Sequence, residues 1–299
     1  MKTKLKLAAL LLLATLNSQL STAFAQGSLT PPGAPAPTMK TLAQIEPRTP
    51  ISAAPFTIAQ PGSYYLTTNL TATVSNAIVI TASGVTLDLS GFTISSTVAS
   101  AANGGTAILL ADTATPGLSD ITIFNGHIRG GVTNNGTNVY GGSGFAQGIY
   151  SSAINTVNVR ASGVSVSGCL LNGIYLGTGN TRLVESCTVR TVGNFGIFAS
   201  TIKSSAAVDC GVSAASFGDQ VSDCRGESTT SGYGVFAYTA NNCYGSSGSS
   251  YGLYAHDTAS GCSGFSSSGI GLYAFIANVC RGQTTSGTAL LAAHFVNSF

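Results

Sequence analysis

An internal repeat constrains this chain more than any other feature. The tetrads Gly173-Ile174-Tyr175-Leu176, Gly196-Ile197-Phe198-Ala199, Gly234-Val235-Phe236-Ala237, Gly252-Leu253-Tyr254-Ala255 and Gly271-Leu272-Tyr273-Ala274 share one pattern. A degenerate copy, Ala215-Ser216-Phe217-Gly218, fills the one wide gap, and the starts are then spaced by 23, 19, 19, 18 and 19 residues. A second column, Cys187, Cys224, Cys243, Cys262 and Cys280, keeps the register, with Ser205 in the cysteine place of the copy that starts at Gly196.

A period near 19, rich in β-branched and aromatic residues and punctuated by Gly and Ser, predicts short strands joined by tight turns. No such unit can bury its own apolar face, so successive units must stack as coils and share a core. The ladder of leucine and asparagine that leucine-rich repeats need is missing, and helical repeats are longer and poorer in Gly. The expected fold is therefore all-β, a parallel β-solenoid. Upstream, residues 84–94, 119–130 and 157–168 alternate apolar and polar positions, as wider and less regular coils would. Residues 130–148 read as an insertion projecting from one face. Counting from Phe56 predicts about nine or ten coils, stacked at ~4.8 Å per strand into a rod of about 45 Å.

The segments Pro61-Gly62-Ser63-Tyr64-Tyr65-Leu66 and Ala82-Ser83-Gly84-Val85-Thr86-Leu87-Asp88-Leu89, with the Gly-Ile-Tyr tetrads, resemble right-handed parallel β-helix repeat proteins of the pectin-lyase-like superfamily. Secreted bacterial members of unassigned function look most similar, down to the Pro-rich leader from Pro31 to Pro50. The resemblance covers residues 31 to about 290. It implies a right-handed β-helix but no particular activity, because that scaffold carries lyases, hydrolases, epimerases, adhesins and tail spikes.

Lys2, Lys4 and Lys6 precede an apolar run over residues 7–16, and Ala23-Phe24-Ala25 follows a polar stretch, the pattern of a Sec signal peptide cleaved after Ala25. The run is well short of the ~20 residues that span a bilayer, so no membrane span is expected. The mature protein is expected to be secreted or held at the cell surface, with the periplasm as the alternative. Residues 26–55 read as a Pro-rich leader or tether, or else as a cover laid along one sheet face. Residues 56–299 are expected to form one solenoid domain, its 19-residue repeats clearest from 187 to 290.

Only 7% of residues are charged, against roughly 25% in ordinary domains, which excludes a solvated helical bundle. The 12 basic and 10 acidic residues become 9 and 10 once the three leader lysines are removed. Without a basic patch the chain lacks the counterion-release term that drives nucleic-acid binding, so no nucleic-acid partner is expected.

Within each tetrad, strand alternation places the aliphatic residue and the Ala on one face and the aromatic on the other. With the aliphatic side inward, Tyr150, Tyr175, Phe198, Phe217, Phe236, Tyr254 and Tyr273 form an outward ladder, a surface suited to sugar rings and hence to a polysaccharide or cell-surface glycan. The competing readings are that the rings stack on one another under a cover, or that the faces are reversed. Stacked cysteines would sit within disulfide range. Seven Cys cannot all pair, however, and no CxxC or nearby His suggests a metal site. A reduced, buried column is the preferred reading.

Catalysis on a polysaccharide would need two or three carboxylates around one glycosidic bond, or a Ca²⁺ site with a base. The best candidate neighbourhood is Asp219, Asp223, Arg225 and His256, with Asp219 and His256 two coils and about 10 Å apart. Glu185 and Lys203 read as a surface ion pair, Asp88 as a turn-closing side chain, and Asp112, Asp120, His127 and Arg129 as scattered loop or turn residues. The expected function is a non-enzymatic structural or binding module, for glycans by preference. The alternative is a polysaccharide lyase or glycoside hydrolase, and Ca²⁺ is expected as a cofactor only for a lyase. A third expectation is self-association through the apolar C-terminal coil, residues 288–299.

Overall fold

The computed structural model describes residues 47–111, 117–152, 155–179, 181–211 and 214–299; the expected signal peptide and most of the expected leader lie outside the described residues. Two units divide at Pro47, and the second, Arg48–Phe299, holds every described strand and no helix.

That unit is a parallel β-solenoid whose coils each contribute to three faces. Face I runs from Phe56–Ile58 through Ile78–Ile80, Thr106–Leu110, Gln147–Ser151, Ile174–Gly177 and Ile197–Ala199 into the first halves of the five long strands that begin at Ala214–Ser222. Face II runs from Thr49–Ile51 and Gly62–Leu66 to the second halves of those long strands. Face III runs from Leu70–Ala72 to Arg281–Thr284. The stack is longer than nine or ten coils, since face I alone holds eleven paired strands. The C-terminal strand supplies the extra rung of face I, and the start of face II carries a further one. Thr49–Ile51, within the expected leader, already pairs with Gly62–Leu66. Thr288–Val296 forms another rung on Ile270–Asn278 rather than a terminal flourish.

Alternation sets the core. Ile174, Ile197, Val235, Leu253 and Leu272 of the tetrads are fully buried, as are Ala199, Ala237, Ala255 and Ala274. The inward column of face III shrinks along the stack in register, from Ile128 and Val166 through Val189 and Ala207 to Gly226, Gly245, Gly264 and Gly282. As these side chains shorten, faces I and III close on each other. A Cβ added at Gly245 would lie 2.0 Å from the carbonyl oxygen of Gly252, and one at Gly264 would lie 2.1 Å from that of Gly271. The tapering core gives the shortening of the repeat from 23 to 19 residues a physical cause: later coils enclose less volume.

The II–III corner turns on one residue of positive φ, occupied in successive coils by Ser186, Ser204, Asp223, Asn242, Gly261, Val279 and Asn297. The residue after it points inward and closes the turn. Thus Cys187, Cys224, Cys243, Cys262 and Cys280 donate their thiols to the carbonyl two residues back, as Ser205 and Ser298 do with hydroxyls. All seven cysteines are free and buried. At the III–I corner Ser228, Ser247 and Ser266 play a similar part, each accepting from a backbone N–H and donating to a carbonyl of the preceding coil.

Candidate functional site

The seven ladder aromatics stand on the outer side of face I between buried neighbours, each half-buried. The ring centroids step along the stack at 5.2, 4.7, 4.7, 4.3, 5.0 and 4.7 Å. Orientation divides this row in two. From Phe217 through Phe236 and Tyr254 to Tyr273 the interplanar angles are 2°, 7° and 13°, so these rings spend their faces on one another and offer only edges to solvent. Tyr150 and Tyr175 are tilted by 33°, while Tyr175–Phe198 and Phe198–Phe217 meet at 70° and 90°. In this half, ring faces are not all consumed within the ladder.

A second aromatic row went unread in the sequence. Phe195, Tyr233 and Tyr251 immediately precede a tetrad glycine and pack against the ladder, Phe195 stacking on Phe198 at 5.1 Å and Tyr233 meeting Phe236 edge-on at 5.3 Å. The signal was an aromatic one position before Gly in three repeats.

Beside the tilted rings lies a recess of about 280 Å³, walled by Tyr150, Tyr175 and Phe198 and bordered by Ser151, Ser152 and Thr178. Its inner wall includes Arg182, a fully buried guanidinium that donates to the carbonyls of Thr156 (3.1 and 3.0 Å), Leu176 (2.8 Å) and Thr178 (3.0 Å). Gly177 makes room for it, since a Cβ there would lie 2.4 Å from Nη1. Burial lowers the pKa of Arg182 and raises that of the Tyr175 phenol. The recess thus joins apolar ring surface to a rim of hydroxyls, the combination that orients a small polar ring.

The four candidate catalytic residues occupy two different corners. Asp219 precedes the face II segment 220–222 and Asp223 follows it. His256 lies on the same I–II corner as Asp219, two coils further along, where its ring packs against Tyr238 at 5.1 Å and its Nδ1 contacts Asp257 at 2.6 Å. Asp223 accepts from Asn242 Nδ2 at 3.3 Å, and Arg225 is engaged with Glu227 (2.7 Å) and the Tyr244 ring. Asp223 and Arg225 do line an open groove of about 840 Å³ along the II–III corner. Among the described residues Asp223 is the one carboxylate lining it.

Other charges are placed more firmly. Asp88 closes its turn through the N–H of Ser90 at 2.7 Å and also holds Arg48 (3.0 Å) and Asn125 (3.1 Å). Glu185 and Lys203 are register neighbours, but the carboxylate pairs instead with Arg160 of the preceding coil. Asp120, His127 and Arg129 are not in a loop: all three belong to the strand Ser119–Arg129, where His127 and Arg129 face outward from face III, and Asp112 lies outside the described residues. No group of three or more His, Cys, Asp or Glu among the described residues is arranged to hold a metal ion, and none of these residues forms a helix long and apolar enough to cross a membrane.

No family model matches the sequence, and neither a curated protein nor a solved structure matches it.

Proposed function

We propose that this protein is a secreted, right-handed β-helix of the pectin-lyase-like kind that acts without catalysis, as an extracellular binding or structural module for neutral sugar rings. The observation that carries the reading is the recess where Tyr150, Tyr175 and Phe198 turn away from coplanar stacking beside hydroxyl and carbonyl groups. Sugar rings pair apolar C–H faces with polar rims, and such a site meets both. The coplanar rings from Phe217 to Tyr273 support a different role, as an external spine that stiffens the stack.

The test is equilibrium binding of the full chain to a panel of neutral polysaccharides, with product release followed in parallel with and without Ca²⁺. Tyr175→Ala and Phe198→Ala are expected to weaken binding by roughly two- to tenfold each, the equivalent of about 0.5–1.5 kcal/mol per aromatic contact. Tyr254→Ala, in the coplanar stretch, is expected to leave affinity unchanged. Release of reducing ends or unsaturated products that Asp219→Ala or Asp223→Ala abolishes would replace this reading with a glycoside hydrolase or polysaccharide lyase.

A further inference from the structure

The arginines of this nearly uncharged chain are mostly committed. Arg48 holds Asp88, Arg160 holds Glu185, Arg225 holds Glu227, and Arg182 is satisfied by backbone carbonyls. Arg129, Arg190 and Arg281 have no ion-pair or side-chain hydrogen-bond partner among the described residues, and Arg281 stands apart at the far end of face III, unlike Arg129 and Arg190. Those two are brought together by register. Arg129 pairs with Ser167 and Ser167 with Arg190, so the two arginines stand in one outward column of face III, two coils apart. That places their Cα atoms about 10 Å apart along the stacking axis. His127 and Ser165 form the adjacent outward column.

These residues line a groove of about 560 Å³, closed on one side by the start of the hairpin Gly131–Asn134 with Tyr140–Ser143. The wall is fixed in place. Tyr140 donates its hydroxyl to Asp209 Oδ1 at 3.0 Å and contacts Thr229 Oγ1 at 2.9 Å, while Asn134 Nδ2 donates to the same Asp209 oxygen at 2.8 Å. Burial raises the Tyr140 phenol well above its ordinary value, so the latch stays protonated. It also engages the carboxylate of the neighbouring strand Ala206–Cys210, which is thereby turned to the hairpin.

We infer that this groove binds an acidic polysaccharide through two oxyanion groups spaced along the solenoid axis. Two guanidinium forks, each able to bind an oxyanion in bidentate fashion, rise from a preorganised polar trough lined by the hydroxyls of Thr93, Ser165 and Ser167. A nucleic acid is the weaker match: two arginines and one histidine neutralise few phosphates, and the other described residues supply no basic track. The groove lies on a different face from the Tyr175 recess and does not depend on it.

The experiment titrates the full chain with dextran sulfate, neutral dextran and a single-stranded oligonucleotide at about 0.15 M salt, where the Debye length is about 8 Å. Dextran sulfate is expected to bind in this groove, whereas binding of neutral dextran belongs to the Tyr175 recess and is expected to survive the loss of Arg129 and Arg190. Arg129→Ala with Arg190→Ala is expected to weaken dextran sulfate binding by about tenfold or more, in line with the loss of charge-assisted hydrogen bonds. Lys203→Ala with Arg281→Ala removes the same charge elsewhere and is expected to change affinity by less than about threefold on screening grounds. Tyr175→Ala should leave dextran sulfate binding intact, which separates failure here from failure of the sugar-ring reading. On the unmutated chain, dextran sulfate should protect Arg129 and Arg190 from an arginine-selective dicarbonyl reagent, read by mass spectrometry. Absence of binding, equal losses in the two double variants, unprotected arginines, or oligonucleotide binding as tight as dextran sulfate would each overturn the inference.

Discussion

Cys187 and Ser205, one coil apart at the same corner, are structurally equivalent. The N–H of Cys187 donates to Ser205 Oγ at 3.1 Å. The Cys187 thiol then donates to the Glu185 carbonyl at 3.3 Å and the Ser205 hydroxyl to the Lys203 carbonyl at 2.7 Å. Cys280 and Ser298 repeat the arrangement, with 3.0 Å between Cys280 N and Ser298 Oγ. The column therefore requires a small donor and acceptor at each turn, and sulfur chemistry is not what it uses. Replacing Cys243 by Ser should cost less than about 1 kcal/mol, whereas Cys243→Ala, which removes the bond to the Asn241 carbonyl, should cost about 1 kcal/mol more. Thermal midpoints of the two variants, with and without reductant, check this; a wild-type midpoint that falls on reduction would show the cysteines pairing.

Alkaline pH should destabilise the fold through two of its buried thiols, Cys169 and Cys187. Burial pushes the Cys169 thiol up to about 12 and the Cys187 thiol up to about 11. A raised folded-state pKa means that the native state holds its proton more tightly than the unfolded chain does. The stabilisation is fully present below the unfolded thiol value of about 8.5 and is lost as pH climbs towards 11 and 12. Thermal midpoints from pH 7 to 11 should fall more steeply in the wild type than in a Cys169→Ala, Cys187→Ser double variant. Parallel curves would remove these thiols as the cause.

Close backbone contact between faces I and III makes the glycines of the later coils irreplaceable. A methyl group at Gly245 meets a main-chain carbonyl at 2.0 Å, and no side-chain rotation relieves that clash. Gly245→Ala is expected to cost more than about 3 kcal/mol, beyond the usual range for overpacking. Gly141→Ala, where nothing lies within 4 Å of the added carbon, should stay within about 0.5 kcal/mol of wild type. Urea unfolding of both variants decides the matter.

The solenoid was legible because its signal is periodic. One tetrad repeated at nearly constant spacing fixes strand, turn and inward side together, and Ile197, Val235 and Leu253 are buried where alternation places them. The irregular coils hid the rest. Arg129 and Arg190 come into one column only through the pairing of Ser119–Arg129 with Val157–Cys169 and of the latter with Thr188–Val192, across coils of unequal length. No spacing rule links them. Glu185 shows the same limit, since register places it beside Lys203 while side-chain reach gives it to Arg160. Ring orientation lies beyond periodicity altogether: the tetrads treat Phe198 and Phe236 alike, yet one meets its next neighbour at 90° and the other at 7°.

Val279 is the misfit of the II–III corner. Its φ is 52°, in the left-handed region, where the equivalent turns use Ser, Asp, Asn or Gly. A β-branched side chain is crowded there, at a cost of about 1–2 kcal/mol, and its side chain gains little in return because 58% of the residue is exposed. The N–H of Val279, which donates to the Val296 carbonyl at 2.8 Å, would be kept by any substitution other than proline. Asn tolerates this conformation, and Asn242 already holds it at φ 51° three rungs of the same corner earlier than Asn297. Val279→Asn is therefore expected to stabilise the protein by about 1 kcal/mol and Val279→Gly by less, because glycine also loosens the unfolded chain. Chemical denaturation of the two variants beside wild type measures both; a loss of stability in each would mean that Val279 supplies packing at this corner that outweighs its backbone strain.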